Sequence, residues 1–138
     1  MSMEKRPEEL RVRGIALDDR KGDPIVLLEE RRRGLRLGLP VGPFEASAIL
    51  LELEGITPPR PFAHDLLADL FREAGFILEG VVLSGSPARG GRARLAYRKG
   101  PSRREREVRP ADAIALALRL GAPIAAEPGF VEAAALRR

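Results

Sequence analysis

Cysteine and tryptophan are missing from all 138 residues, and the chain has one histidine, one tyrosine and five phenylalanines. Without cysteine there is no disulfide and no thiolate metal site, so the fold must stand on its apolar core. No apolar run reaches the roughly 18 residues a membrane helix needs. The opening residues, Met1-Ser2-Met3-Glu4-Lys5-Arg6, lead into no apolar signal core. The expectation is a cytoplasmic protein with no membrane contact. There is no glycine-rich phosphate loop and no dinucleotide fingerprint. The abundance of Arg, Ala, Leu and Pro beside these gaps suits a thermophile.

What is present is charge, unevenly spread. The net charge is +4. Between Arg89 and Arg109 stand nine basic residues: Arg89, Arg92, Arg94, Arg98, Lys99, Arg103, Arg104, Arg106 and Arg109. Only Glu105 and Glu107 oppose them, which leaves 15 basic and 18 acidic residues elsewhere. Such a segment is either a solvated surface or a polyanion-binding one. Ala93, Leu95 and Tyr97 alternate with Arg92, Arg94 and Arg98, so a strand here carries one apolar and one basic face. Arg92, Arg94 and Arg98 are thus expected in solvent, as candidate phosphate contacts.

The chain is long enough for one domain with a real core. Residues 1–8 read as a loose tail and 9–138 as the domain. Strands are expected near Val12–Leu17, Ile25–Glu30 and Leu35–Leu39, with turns at Asp18–Pro24 and Gly34. A helix from about Phe44 to Glu54 stops at Gly55. A second opens at Arg60-Pro61-Phe62-Ala63-His64-Asp65 and closes at Gly75. Its Leu66, Leu67, Leu70, Phe71 and Ala74 are expected to face the core, with Asp65, Asp69 and Arg72 outward. A buried strand over Phe76–Leu83 and a hairpin of Arg92–Arg98 with Arg103–Val108 follow. Next comes an almost wholly apolar helix from Pro110 to Leu120, broken only by Asp112 and Arg119 on one stripe. A helix apolar nearly all round is buried, so this one is expected at the centre. A short strand near Pro123–Ala125 and a last helix from about Pro128 to Leu136 end the chain. The class is α+β: a mixed, mostly antiparallel sheet packed against three to four helices in a single compact domain.

Three blocks, taken together, resemble a known family: Pro40-Val41-Gly42-Pro43-Phe44-Glu45-Ala46-Ser47-Ala48-Ile49, then Arg60-Pro61-Phe62-Ala63-His64-Asp65-Leu66-Leu67, then Arg109-Pro110-Ala111-Asp112-Ala113-Ile114-Ala115-Leu116-Ala117 with Pro123-Ile124. They are similar, in order and spacing, to the bifunctional nuclease domain family, once catalogued as a domain of unknown function. The resemblance spans roughly residues 10 to 130. It implies an α+β domain that cleaves both DNA and RNA. The family usually has Thr where this chain has Ala63 and Ser where it has Ala111, and the segment at Val41-Gly42 is about two residues short. Two missing hydroxyls imply slow turnover.

The residues themselves leave roles open. His64 is either a buried histidine bonded to backbone or a general base or metal ligand for phosphodiester hydrolysis. Asp65 and Asp112 each sit in the first turn of a helix, where a carboxylate suits the dipole. Alternatively they converge with Glu45 on a divalent cation, magnesium or manganese, whose hard oxygen ligands these would be. Glu45 shares a stripe with Glu52, which equally suits a solvated face. Arg60 and Arg109, each fixed by a following proline, can grip phosphate or pair with the aspartate of the other Arg-Pro unit; such structural pairing is expected for at least one. Three functions compete: a nuclease using His64, Asp65 and Asp112, a non-catalytic nucleic-acid-binding module, and an oligomeric scaffold. DNA or RNA is the expected partner, and a homo-oligomer the expected assembly.

Overall fold

The structure, a computed structural model, describes residues 6–136. Twelve elements follow one another, one of them a single 3-10 turn at Pro87–Arg89. The strands are β1 (Glu8–Leu17), β2 (Pro24–Glu30), β3 (Arg36–Pro40), β4 (Ile77–Ser84), β5 (Arg92–Lys99), β6 (Ser102–Val108) and β7 (Ile124–Ala126). The helices are α1 (Pro43–Glu54), α2 (Ala63–Ala74), α3 (Pro110–Leu120) and α4 (Pro128–Ala134). One seven-stranded sheet runs β3-β2-β1-β7-β4-β5-β6. Only β4 with β7 is parallel, so the expected mixed, mostly antiparallel α+β domain is what forms.

The sheet is two antiparallel meanders joined by β7. Ile124 faces Leu10 on one side and Val81 on the other, so three residues knit β1-β2-β3 to β4-β5-β6. β1 begins at Glu8, at the edge of the expected tail, because Glu8 pairs with Ala126. The tail's first five residues lie outside the described ones. α4 stops at Ala134, two residues early, where Ala135 forms a bridge with Leu37 instead.

α3 is the centre. Pro110 is its first residue, and Ala113 to Ala117 are all buried. It packs on α1, α2, β4 and β5. Its apolar residues are thus enclosed over most of its length, as its composition predicts, and Arg119 in the last turn meets polar partners.

α2 corrects the sequence-based expectation. Leu66, Leu67 and Leu70 are 52%, 41% and 50% exposed, whereas Asp65 is buried and Ala68 completely so. Phe71 does pack against the core as expected, but Ala74 is exposed, and the side of the helix turned inward carries Asp65 and Ala68 in place of the leucines. Arg119 of α3 holds Asp65 there and pulls that face inward. The two Arg-Pro units also differ in register. Arg109 is the N-cap of α3 and Pro110 its first residue. In α2 the N-cap is Phe62, and Arg60-Pro61 lies outside the helix. Both units nevertheless put their aspartate at the third helical position, so the aspartate, not the proline, sets the common register.

A second buried carboxylate closes the β2–β3 turn. Glu30 has no solvent exposure. It accepts hydrogen bonds from the backbone N–H groups of Arg32 and Arg33 and from Arg33 Nε at 3.1 Å. Burial alone would raise its pKa. The backbone and side-chain donors of Arg33, with Arg32, outweigh burial and hold it below the usual glutamate range.

Leu116, 1% exposed, tests the centrality of α3. Leu116→Ala should cost about 2–5 kcal/mol in denaturant unfolding, and a loss below about 1 kcal/mol would make α3 peripheral. Glu30 sets an acid limit. Its lowered pKa gives stability that is present above the ordinary glutamate range and is lost as pH falls through its own lower value. Glu30→Gln should weaken the fold at neutral pH and flatten its stability profile below about pH 5. An unchanged acid limb would show that Glu30 does not govern it.

Candidate functional site

Asp65 stands in the first turn of α2, where its Oδ2 accepts the Phe62 backbone N–H at 3.0 Å. That bond fixes the carboxylate against the helix start, and its other oxygen, Oδ1, turns to α3. Arg119 Nε lies 3.3 Å from Asp65 Oδ1 and 3.9 Å from Glu52 Oε1, and Arg119 NH2 lies 3.8 Å from Asp69. Glu52 comes from the last turns of α1. His64 Nε2 completes the group at 3.5 Å from Asp65 Oδ1 and 3.6 Å from Glu52 Oε1.

Among the described residues, Glu52, His64 and Asp65 are the one set of three ligand-type side chains whose donor atoms lie within 4.8 Å of one another. His64 Nε2 is buried and has no hydrogen-bond partner. An orphaned nitrogen at such a depth is uncommon, because leaving it unpaired costs about 1–3 kcal/mol.

The two carboxyls split their titration. Burial pushes Glu52 up, and the neighbouring Asp65, its hydrogen-bond partner, pushes it further. Burial also acts to raise Asp65, but the hydrogen bond from Glu52, the Phe62 N–H, His64 and Arg119 together hold it below the ordinary aspartate value. The two shifts run in opposite directions, Glu52 upward and Asp65 downward.

A cleft of about 460 Å³ opens over this group, lined by Glu52, Asp65, Asp69 and Arg119 and by the Gly55–Pro61 linker. Three carboxyls face one guanidinium there. His64 lines a second cleft, of about 360 Å³, together with Phe44, Glu45, Phe62, Arg109 and Asp112 among others. In that one, Arg109 Nε donates to Asp112 Oδ2 at 3.0 Å, and Arg109 NH1 reaches Glu45 Oε2 at 3.8 Å. Glu45 and Arg109 also line a third cleft, of about 530 Å³, with Arg89, Arg92 and Glu107.

The expected site residues therefore fall into separate groups. His64 and Asp65 come together. Asp112 and Glu45 meet at Arg109, in a cleft that His64 lines and Asp65 does not. Arg109 pairs with the aspartate of its own unit, not the other. Arg60 is exposed, before α2. Arg92, Arg94 and Arg98 share one face of β5, with Arg92 and Arg94 exposed and Arg98 half-buried. That face is not uniformly basic. Arg94 Nε lies 3.5 Å from Glu105, and Arg98 Nε and Arg103 both reach Glu79, at 3.4 and 3.6 Å. Cross-strand glutamates interleave with the arginines, and only Arg92 of the three lines a cleft with Arg89 and Arg109.

Sequence reasoning passes over Glu52 and Arg119. One signal marks them: Arg119 is the single charge beyond Asp112 in an apolar helix, and a charge so placed needs a partner. Glu52 shares a stripe with Glu45, which by itself suits a solvated face.

Residues 26–138 match the bifunctional nuclease domain. Two uncharacterized proteins of Mycobacterium tuberculosis, from strains CDC 1551 / Oshkosh and ATCC 25618 / H37Rv, are each 35% identical to the chain over 128 residues. The alignment covers 93% of this chain and 76% of each relative. With its α+β sheet, its three sequence blocks and a domain match over most of its length, the chain belongs to the bifunctional nuclease domain family.

Proposed function

We propose that the protein is a nuclease that hydrolyses phosphodiester bonds in DNA and RNA, with Glu52, His64 and Asp65 at the reacting centre. The observation that carries this reading is His64 Nε2, buried and without a hydrogen-bond partner beside Glu52 and Asp65, two carboxyls that line a cleft of excess negative charge. That donor set, one imidazole and two carboxylate oxygens, fits manganese better than magnesium, which takes oxygen ligands. Glu52, His64 and Asp65 would hold the ion, which when bound supplies an acidified water and a counter-charge to phosphate.

The chain's own residues support the rest. Phe62 N–H orients Asp65. Arg119 balances the carboxyls from one side and leaves the cleft open on the other. Arg109 is the phosphate-gripping residue, aimed by Asp112 and Glu45. In this reading Asp112 and Glu45 act through Arg109 rather than as metal ligands. Arg60 and Arg92 belong to the substrate-binding surface, whereas Arg94 and Arg98 are occupied by glutamates. Ala63 and Ala111 supply no hydroxyl, in keeping with slow turnover. Self-association belongs to the same proposal, through the exposed leucines of α2.

Two measurements follow. Cleavage of a labelled single-stranded RNA or DNA should stop in excess chelator and return with manganese. His64→Ala and Glu52→Gln should each lower it about 100-fold or more, with circular dichroism unchanged and every variant purified identically. Full activity in chelator, or equal cleavage by wild type and both variants, would sink the proposal. In binding assays, Arg92→Gln should reduce the salt slope by about 0.7 units on single strands. Arg94→Gln and Arg98→Gln should leave it nearly unchanged. Equal losses from all three would mean that the whole β5 face binds phosphate.

A further inference from the structure

Phe44 is the most exposed large apolar side chain among the described residues, at 87%. It lies in the first turn of α1, which turns Ala46 and Ile49 into the core and leaves Phe44 in water. Phe62, the N-cap of α2, is 39% exposed. The two phenylalanines come from different helices and line the same 360 Å³ cleft, with His64 and Arg109. That volume lies in the usual range for small-ligand pockets, about 300–1,000 Å³. The Phe62 ring meets the His64 ring edge-on, with centroids 6.1 Å apart. An aromatic platform thus adjoins the imidazole of the reacting centre.

We propose that this cleft is a base-stacking subsite, in which Phe44 and Phe62 receive an unpaired nucleobase, so that the preferred substrate is single-stranded nucleic acid. The proposal rests on the nuclease reading and specifies its substrate. Charge identifies the occupant. The adjoining 530 Å³ cleft shares Glu45 and Arg109 with this one and adds Arg89 and Arg92 against a single further carboxylate, Glu107. Among the described residues, neither Arg89 nor Arg92 is paired with a carboxylate. Aromatic rings beside exposed guanidinium groups match a strand whose bases stack and whose phosphates are held alongside. A base inside a duplex presents no free face to such a platform, so a duplex enters only by unstacking. A protein partner seated on the phenylalanines would need no arginines beyond them.

The test uses the full chain in chelator, which blocks cleavage, and fluorescence anisotropy with three probes: a 12-nucleotide single strand, its duplex, and a strand with abasic sites. Wild type should bind the single strand more tightly than the other two. The Phe44→Ala/Phe62→Ala double variant should lose about tenfold or more on the single strand and little on the abasic strand. The chain has no tryptophan, so Phe44→Trp gives a single reporter, which should restore affinity and be quenched by the base-containing strand. If wild type binds and the double variant binds equally well, or if the loss is the same on the abasic strand, the stacking subsite is wrong while the nuclease reading stands. If wild type binds no nucleic acid, the nuclease reading fails and takes the subsite with it. If the double variant instead changes the sedimenting mass, Phe44 and Phe62 are a contact between copies of the chain, and the proposal is overturned.

Discussion

The arrangement of this protein around its site depends on one ion pair, Arg119 with Asp65 at 3.3 Å. Arg119 is 31% exposed at its side chain and Asp65 only 8%. Pairs of this kind are a poor source of net stability, since desolvation offsets the attraction. What they do is fix geometry, because removing either partner leaves a charge with nothing to face. Arg119 departs from the last turn of α3, and Asp65 opens α2. The pair ties the end of the central helix to the start of a peripheral one.

That tie explains why α2 turns three leucines to solvent. A lone amphipathic helix would bury its leucines and expose Asp65. Here the hydrophobic gain from turning the helix over, about 1.5–3 kcal/mol for each fully buried side chain, competes with isolating Asp65 and Arg119. Breaking a buried ion pair costs a comparable 3–5 kcal/mol, and the Phe62 N–H bond to Asp65 would be lost with it. Moreover, Asp65 alone does not fill the polar side: Glu52 and His64 sit with it. The inward face of α2 is thus shared between this polar group at its start and the core contacts of Ala68 and Phe71 further along, and the three leucines stay partly in solvent.

Much of the fold was legible in the sequence. α3 could be read because apolar residues on every side leave no other place for it. β5 could be read because its period of two is unbroken from Arg92 to Arg98. The orientation of α2 could not be read from its own residues. Its periodicity is correct, but the inward face is chosen by Arg119, 54 positions beyond Asp65 in the chain. Glu52 was hidden for the same reason: on α1 alone it continues a stripe with Glu45 and looks like solvent-facing charge. The neutralisation of Arg94 and Arg98 needed the register of β5 with β6 and the place of Glu79 on the adjacent strand. Local periodicity reports which face of an element is distinct; pairing between distant elements decides which way that face points.

The two aspartates show how one local device serves two ends. Asp65 and Asp112 both occupy the third position of their helices, counted from N-caps Phe62 and Arg109. At Asp65 the N-cap is a phenylalanine, which offers only its backbone N–H, so the second oxygen is free to meet Arg119 and His64. At Asp112 the N-cap is itself an arginine, and its side chain takes the carboxylate directly. The position before each aspartate differs as well: His64 in α2, the buried Ala111 in α3. One helix start therefore carries a titratable ring with an unused nitrogen, and the other carries an arginine with donors to spare. Because His64 lines the same cleft as Arg109 and Asp112, the two starts face a common space. An imidazole from one helix start and a guanidinium from the other thus line one cleft, although the two residues lie 45 positions apart in the chain.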